Sequence, residues 1–333
     1  MSLGTLRASL FRSVRHERWT RLTHSGARHL SRKHIVPTAE GAVELSYTSI
    51  IPENGNATEK PLVILHGLFG SKRNWGSLCK TLHRDMPHRP IYALDLRNHG
   101  SSPHATPMTY KAMAQDVQNF IEDKQLEEVA LLGHSMGGKV AMAYALSLDT
   151  YQAPRDTLSR LIISDIAPSI GRLSNEFIKY VEAMQRIEAL APGVIKTRAD
   201  ADKRLQPYEP DISVRQFLLT NLQLPSHSRA VAHDASSEKA RFIVPLNILT
   251  HSIESLGSFP YEYNVEDGSV PKTWDGPTLA VKGTRSAFIN HRNLPAFEAF
   301  FPNMRLEELD TGHWVHAEKP NEFRKLVVDF LAS

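Results

Sequence analysis

From about residue 40 onward the chain alternates two kinds of apolar pattern. One is a short apolar run bounded by turn residues, at 61–65, 91–96, 129–132, 161–164 and 278–281. Runs of this length read as buried strands. A more polar run of similar length lies at 304–309. Upstream, Val43, Leu45, Tyr47 and Ser49 alternate with polar neighbours, as in a strand with one covered face, and the segment 52–56 turns the chain.

The other pattern has helical spacing. Met113, Val117, Phe120 and Ile121 follow Thr109, a residue type that caps helices. Segments 136–148, 291–301 and 320–331 read the same way. Short buried strands alternating with helices predict parallel βαβ units in the α/β class: a mostly parallel twisted sheet flanked by helices on both faces.

The alternation breaks between about 168 and 277. Helical spacing recurs there at 177–190, 199–206, 213–222 and 245–256 without matching strands. The stretch falls between two strands of the sheet, so it is expected to be a helical cap inserted at the sheet's C-terminal edge. Open α/β sheets bind ligands at that edge, and a cap there walls off the site and selects substrates.

Charge changes the picture at one end. Residues 1–34 carry seven Arg and one Lys against the single acid Glu17, leaving 31 basic and 35 acidic residues elsewhere. The net charge of +3 therefore says nothing for nucleic-acid binding by the folded part. The leader is Arg- and Ser-rich and acid-poor, and Leu3, Leu6, Leu10 and Val14 sit at helical spacing. This is the composition of a mitochondrial presequence. The expected organisation is a targeting segment over 1–34, placing the protein in mitochondria and in the matrix, and an α/β domain over 35–333. No apolar run reaches transmembrane length, and one cysteine, Cys79, excludes an internal disulfide framework.

The candidate chemistry sits where the strands end. Gly133-His-Ser135-Met-Gly-Gly138 follows one apolar run and opens a helix, the strand–turn–helix setting of a nucleophile elbow. A serine hydroxyl needs a base, and the base needs an acid to hold it. His313 follows the last strand and precedes the final helix, which puts it at the same edge; His316 and His291 are the alternatives. For the acid, the loop after 278–281 carries Ser286 where an aspartate is expected in many α/β hydrolases. Asp165, at the end of the preceding strand, is the favoured acid, with Asp275 its competitor. The amides of Leu68, in His66-Gly-Leu-Phe-Gly70, and of Met136 are placed to form an oxyanion hole. Asp95 and Arg97 precede Ser135 and are read as structural. No P-loop, early G-x-G-x-x-G or metal-spaced His pair is present, so neither cofactor nor metal is expected.

At this point the chain resembles the alpha/beta hydrolase domain-containing protein 11 family, with which the fungal ethanol acetyltransferases group. The resemblance rests on His66–Ser71, Asp95–Pro103, Gly133–Lys139, Arg215–Leu222 and Gly312–His316. It implies the α/β-hydrolase fold, a mitochondrial serine hydrolase acting on esters or acyl thioesters such as acyl-CoA, and Ser135, Asp165 and His313 as its triad. Acetyl transfer from acetyl-CoA to ethanol by the same residues is the second expectation. A non-catalytic binding protein on a hydrolase scaffold is the third.

Overall fold

The computed structural model describes residues 41–53, 56–150, 154, 156–171, 173, 175–224 and 239–333. The expected presequence, 1–34, lies outside the described residues.

Seven strands form one sheet: β1 (Tyr47–Ile50), β2 (Leu62–Leu65), β3 (Ile91–Leu94), β4 (Val129–His134), β5 (Leu158–Ser164), β8 (Thr278–Gly283) and β9 (Met304–Leu309). Each apolar run named above is one of them. Their order is β1-β3-β2-β4-β5-β8-β9. β1 pairs antiparallel with β3, and the other neighbours are parallel.

Strand residues alternate between two apolar layers. Leu62, Ile64, Ala130, Leu132 and Ile162 face one layer, where Trp75, Leu82, Phe323 and Val327 pack from α1 (Gly76–Asp85), α11 (Pro320–Ala332) and the 3₁₀ turn Lys72–Trp75. Val63, Leu65, Leu131, Leu161 and Ile163 face the other, which holds α2 (Tyr110–Asp123) and α3 (Met136–Ala145). The period of two that puts successive side chains on opposite faces thus builds both layers. Thr109 caps α2 by accepting from the Ala112 amide at 3.2 Å. All of α3 is buried, as expected of a helix apolar on every side. Cys79 is buried in α1, and burial pushes its thiol up to about 12.

Between β5 and β8 lie α4 (Asn175–Glu188), α5 (Arg198–Leu205), α6 (Ile212–Leu219), α7 (Leu246–His251) and α8 (Ile253–Gly257). The expected helix over 245–256 is two short helices meeting at Ser252. A two-residue ladder, β6 (Leu222–Gln223) with β7 (Arg241–Phe242), interrupts this segment; the sequence pattern contained no sign of it. After β8 come α9 (Leu294–Phe300) and, between β9 and α11, the short α10 (Val315–Glu318). Among the described residues no helix is long and apolar enough to cross a membrane.

Chain order reverses across β2. The chain leaves β2 for β3 on one side, then returns to β4 on the other. The loops leaving β2 and β4 therefore diverge at a crevice, the place where open α/β sheets bind ligands.

Candidate active site

The β4–α3 turn at this crevice carries Ser135. Its backbone is left-handed, φ 52° and ψ −118°, a conformation that costs a non-glycine residue about 1–3 kcal/mol. Close packing around it explains the flanking glycines. A Cβ at Gly133 would lie 2.2 Å from the Gly137 carbonyl oxygen, and one at Gly137 would lie 2.5 Å from that of His66. The Ser135 amide donates to the Ser164 carbonyl at 3.0 Å, holding the turn against β5.

Asp165 terminates β5, also with positive φ (51°), and is fully buried. Its Oδ1 accepts the Gly283 amide at 3.0 Å. Its Oδ2 accepts the Ser286 hydroxyl and, at 2.7 Å, Nδ1–H of His313. A carboxylate so surrounded fixes both the tilt and the tautomer of the imidazole, leaving Nε2 as its free base. Asp275 is exposed and precedes β8, so it lies at the opposite edge of a parallel sheet from Asp165. Ser286, noted above as the residue standing where an acid is expected, donates to the acid instead.

The His313 loop is held from three sides. Nε2–H of His134 donates to its carbonyl at 3.0 Å, Phe288 packs on its ring at 4.1 Å, and Trp314 meets Phe217 of α6 edge-on at 6.0 Å. His316 stacks on Trp75 at 4.2 Å with planes 9° apart. Burial, with His313 nearby, pushes its pKa down to about 3, and no carboxylate holds it among the described residues. His291 is exposed. Neither alternative base is placed as His313 is.

The loop after β2 closes over Ser135: a Cβ on Gly67 would stand 3.2 Å from the serine Cβ. Two neutral histidines fix this loop. Nε2 of His66 accepts the Leu96 amide at 3.0 Å while its Nδ1–H donates to Gly67 at 2.8 Å. Nε2 of His99 accepts the Phe69 amide at 3.2 Å while its Nδ1–H donates to Arg97 at 3.0 Å. Burial lowers the pKa of both, that of His99 to about 3. Asn221, after α6, donates to the Phe69 carbonyl at 2.7 Å and ties the loop to the segment between β5 and β8. The motif at 215–222 contained Asn221, but its partner lies 152 positions away and was not legible. Leu68 and Met136 both border the space above Ser135. Met136 opens α3, and the first amides of a helix have no partner within it.

Asp95 and Arg97 are structural, as read. Asp95 is buried, accepts the Lys72 and Ser101 amides and pairs with the Lys72 ammonium. Arg97 forks onto Asp116 at 2.6 and 2.7 Å.

Two spaces meet at Ser135. The larger, about 330 Å³, is walled mainly by Ile166, Leu173, Phe177, Leu256 and Phe288. At its rim Lys139 donates to the carbonyls of Ser169 (2.8 Å), Gly257 (3.3 Å) and Ser258 (2.8 Å), and burial pushes its pKa down to about 8. The smaller, about 20 Å³, borders Ser135, His313, His316 and Trp75.

A family model described as the alpha/beta hydrolase fold matches residues 60–320. The sn-1-specific diacylglycerol lipase ABHD11 of Xenopus laevis is 36% identical over 298 residues, covering 89% of this chain and 86% of that protein. A probable alcohol acetyltransferase of Saccharomyces cerevisiae is 35% identical over 281 residues, covering 81% and 77%. Among solved structures, a marine microorganism esterase superposes with a TM-score of 0.71 at 29% identity, over 87% of this chain and all of that one. The chain belongs to the alpha/beta hydrolase fold family, and within it to the ABHD11-like members.

Proposed function

We propose that this protein is a serine hydrolase that cleaves carboxylic esters or acyl thioesters through an acyl-enzyme on Ser135. The observation that carries the reading is the fixed pair at the crevice: His313 held by a fully buried Asp165 at 2.7 Å, bordering the same small chamber as the strained Ser135.

His313 takes the Ser135 proton as Oγ attacks the substrate carbonyl. Asp165 stabilises the imidazolium that forms. The developing oxyanion lies against the amides of Leu68 and Met136, where each such donor is worth about 3–4 kcal/mol. His313 then protonates the leaving alcohol or thiol, and the acyl group stays on Ser135 with its chain in the apolar 330 Å³ space. A second nucleophile, deprotonated by His313, releases it.

With water as that nucleophile the product is an acid; with an alcohol it is an ester. The yeast relative's name supports the second outcome and the frog relative's the first, and diacylglycerol is one ester class to assay. The basic leader supports a mitochondrial setting, tested by whether removing residues 1–34 abolishes import. The test of the activity is a fluorophosphonate label together with acetyl-CoA and p-nitrophenyl acetate as donors. Labelling and turnover in the wild type, both lost in Ser135→Ala, are expected. Turnover retained by Ser135→Ala would overturn the proposal.

A further inference from the structure

The space of about 330 Å³ above Ser135 is apolar in its middle and charged at one point. Ile166, Leu173, Phe177, Leu256 and Phe288 make the apolar wall. Among the described residues that border it, Lys139 alone carries a charge. Met136 opens α3 and Lys139 follows three residues later, a spacing that puts both on one face of the helix; both border the space. The Lys139 end is the outer end. Its ammonium donates to the Ser169 carbonyl, and the neighbouring Ser169 and Gly171 reach the surface, whereas Ser135 is buried.

This ammonium is a buried cation without an anion. It donates to the carbonyls of Ser169 (2.8 Å), Ser258 (2.8 Å) and Gly257 (3.3 Å), and the Tyr110 ring centre lies 5.4 Å away. No carboxylate pairs with it among the described residues. Burial pushes its pKa down to about 8, as happens to a cation taken out of water without a counter-charge. One of its three donors is spare. The bond to Gly257 is the longest, and that carbonyl already accepts the Gly171 amide at 3.0 Å. Gly257 borders the space. Turning this donor onto a ligand therefore leaves no wall group unpaired.

We propose that the acyl space takes an acyl group ending in a carboxylate, which Lys139 receives: the substrates are monoesters or monothioesters of linear dicarboxylic acids. The inference rests on the acyl-enzyme reading and deepens it. The ester carbonyl sits at Ser135, the methylenes cross the apolar middle, and the distal carboxylate reaches the rim. There it accepts the spare Lys139 N–H, and its other lone pairs face water. A charge-assisted hydrogen bond of this kind is about twice as strong as a neutral one, and the carboxylate supplies the counter-charge that the wall lacks. It changes no bond. The acyl carbon joins Ser135 Oγ as the alcohol or thiol leaves with the serine proton. Water then adds to that carbon, the bond to Oγ breaks, the serine regains a proton, and the dicarboxylic acid departs. A plain alkyl chain fills the same middle but leaves the Lys139 charge uncompensated.

The experiment uses the full chain and pairs of p-nitrophenyl esters, the monoesters of adipic and suberic acid and the same esters with a carboxamide in place of the free carboxylate. The members of a pair share shape and length and differ in charge. The ratio of their kcat/KM values is taken within one protein, so misfolded protein, slow acylation or a displaced wall cancels. In the wild type the carboxylate is expected to be preferred about tenfold or more at one or both lengths. Lys139→Met keeps most of the stem and removes the charge, and the ratio is expected to fall to about one or below. Lys139→Gln carries the same prediction with a polar end. A wild type that turns over the carboxamides as well as the carboxylates, or that turns over none of these esters while Ser135 takes the fluorophosphonate label, overturns the inference. So does a preference that survives in both variants. Absence of labelling in the wild type would overturn the acyl-enzyme reading itself, and this inference with it.

Discussion

In the proposed mechanism the acid is Asp165, at the end of one strand, and it accepts from Ser286 in the loop of the next, which suggests a swap. Ser286→Asp alone places a second carboxylate against Asp165, which is fully buried and already accepts the Ser286 hydroxyl. Two unit charges about 4 Å apart at an effective dielectric of about 20 repel by about 4 kcal/mol. Expressed in activity, this is about 10³-fold in kcat/KM. Asp165→Ser alone removes the only carboxylate bonded to His313 among the described residues, and losses of about 10³–10⁴-fold follow when a triad acid is removed. The double variant Asp165→Ser/Ser286→Asp exchanges the partners: one carboxylate, one hydroxyl donor and one imidazole again face each other. If the single losses added, it would be about 10⁶-fold impaired. The exchange predicts activity within about a hundredfold of wild type, a coupling of more than about 4 kcal/mol. The assay is kcat/KM for p-nitrophenyl acetate, normalised to sites titrated with fluorophosphonate, for all four proteins of the cycle. A double variant no better than the weaker single variant would refute the reasoning.

Other expectations follow from single contacts. Asn221→Ala strands the buried Phe69 carbonyl and loosens the loop bearing Leu68; fluorophosphonate labelling should slow about tenfold, the equivalent of about 1.4 kcal/mol, and an unchanged rate would remove Asn221 from the account. Asp116→Ala leaves the buried Arg97 guanidinium unpaired, so stability in urea should fall by about 3–5 kcal/mol while turnover per labelled site holds; a fall confined to turnover would contradict a structural role. Acid should destabilise the fold. His99 and His316 titrate near 3 when folded and near 6.5 when unfolded, so between these values the unfolded chain binds protons the folded one excludes. Stability therefore drops as pH falls through that window, by about 3 kcal/mol per pH unit for the pair at full slope. Urea midpoints at neutral pH and near pH 5 check this, and a midpoint that rises on acidification contradicts it.

The parts of the fold legible in the sequence are those whose burial is near complete. Strands β2, β4 and β5 are continuous apolar runs because helices cover both faces. α1 was not legible: it buries only Leu78, Cys79 and Leu82, and its remaining residues are polar. β6 and β7, at two residues each, are too short to show alternation. Of the candidate site, Ser135 stands out through the glycines its positive-φ turn requires, and His313 through its place between the last strand and the final helix. Asp165 followed from strand order, and the exclusion of Asp275 needed the register of β8. The contacts of Ser286 and Asn221 escaped because their partners are distant in sequence. Ser286 meets Asp165 across 121 positions, and Asn221 meets Phe69 across 152.

The claim on which the rest depends is a covalent acyl group on Ser135. Rapid quenching of the full chain with p-nitrophenyl acetate, followed by intact-mass and peptide-mass analysis, tests it directly. The account predicts one added acetyl group on the peptide containing Ser135 during turnover, and none in Ser135→Ala. Turnover with no acetyl group on that peptide, or with the group on another residue, would contradict it.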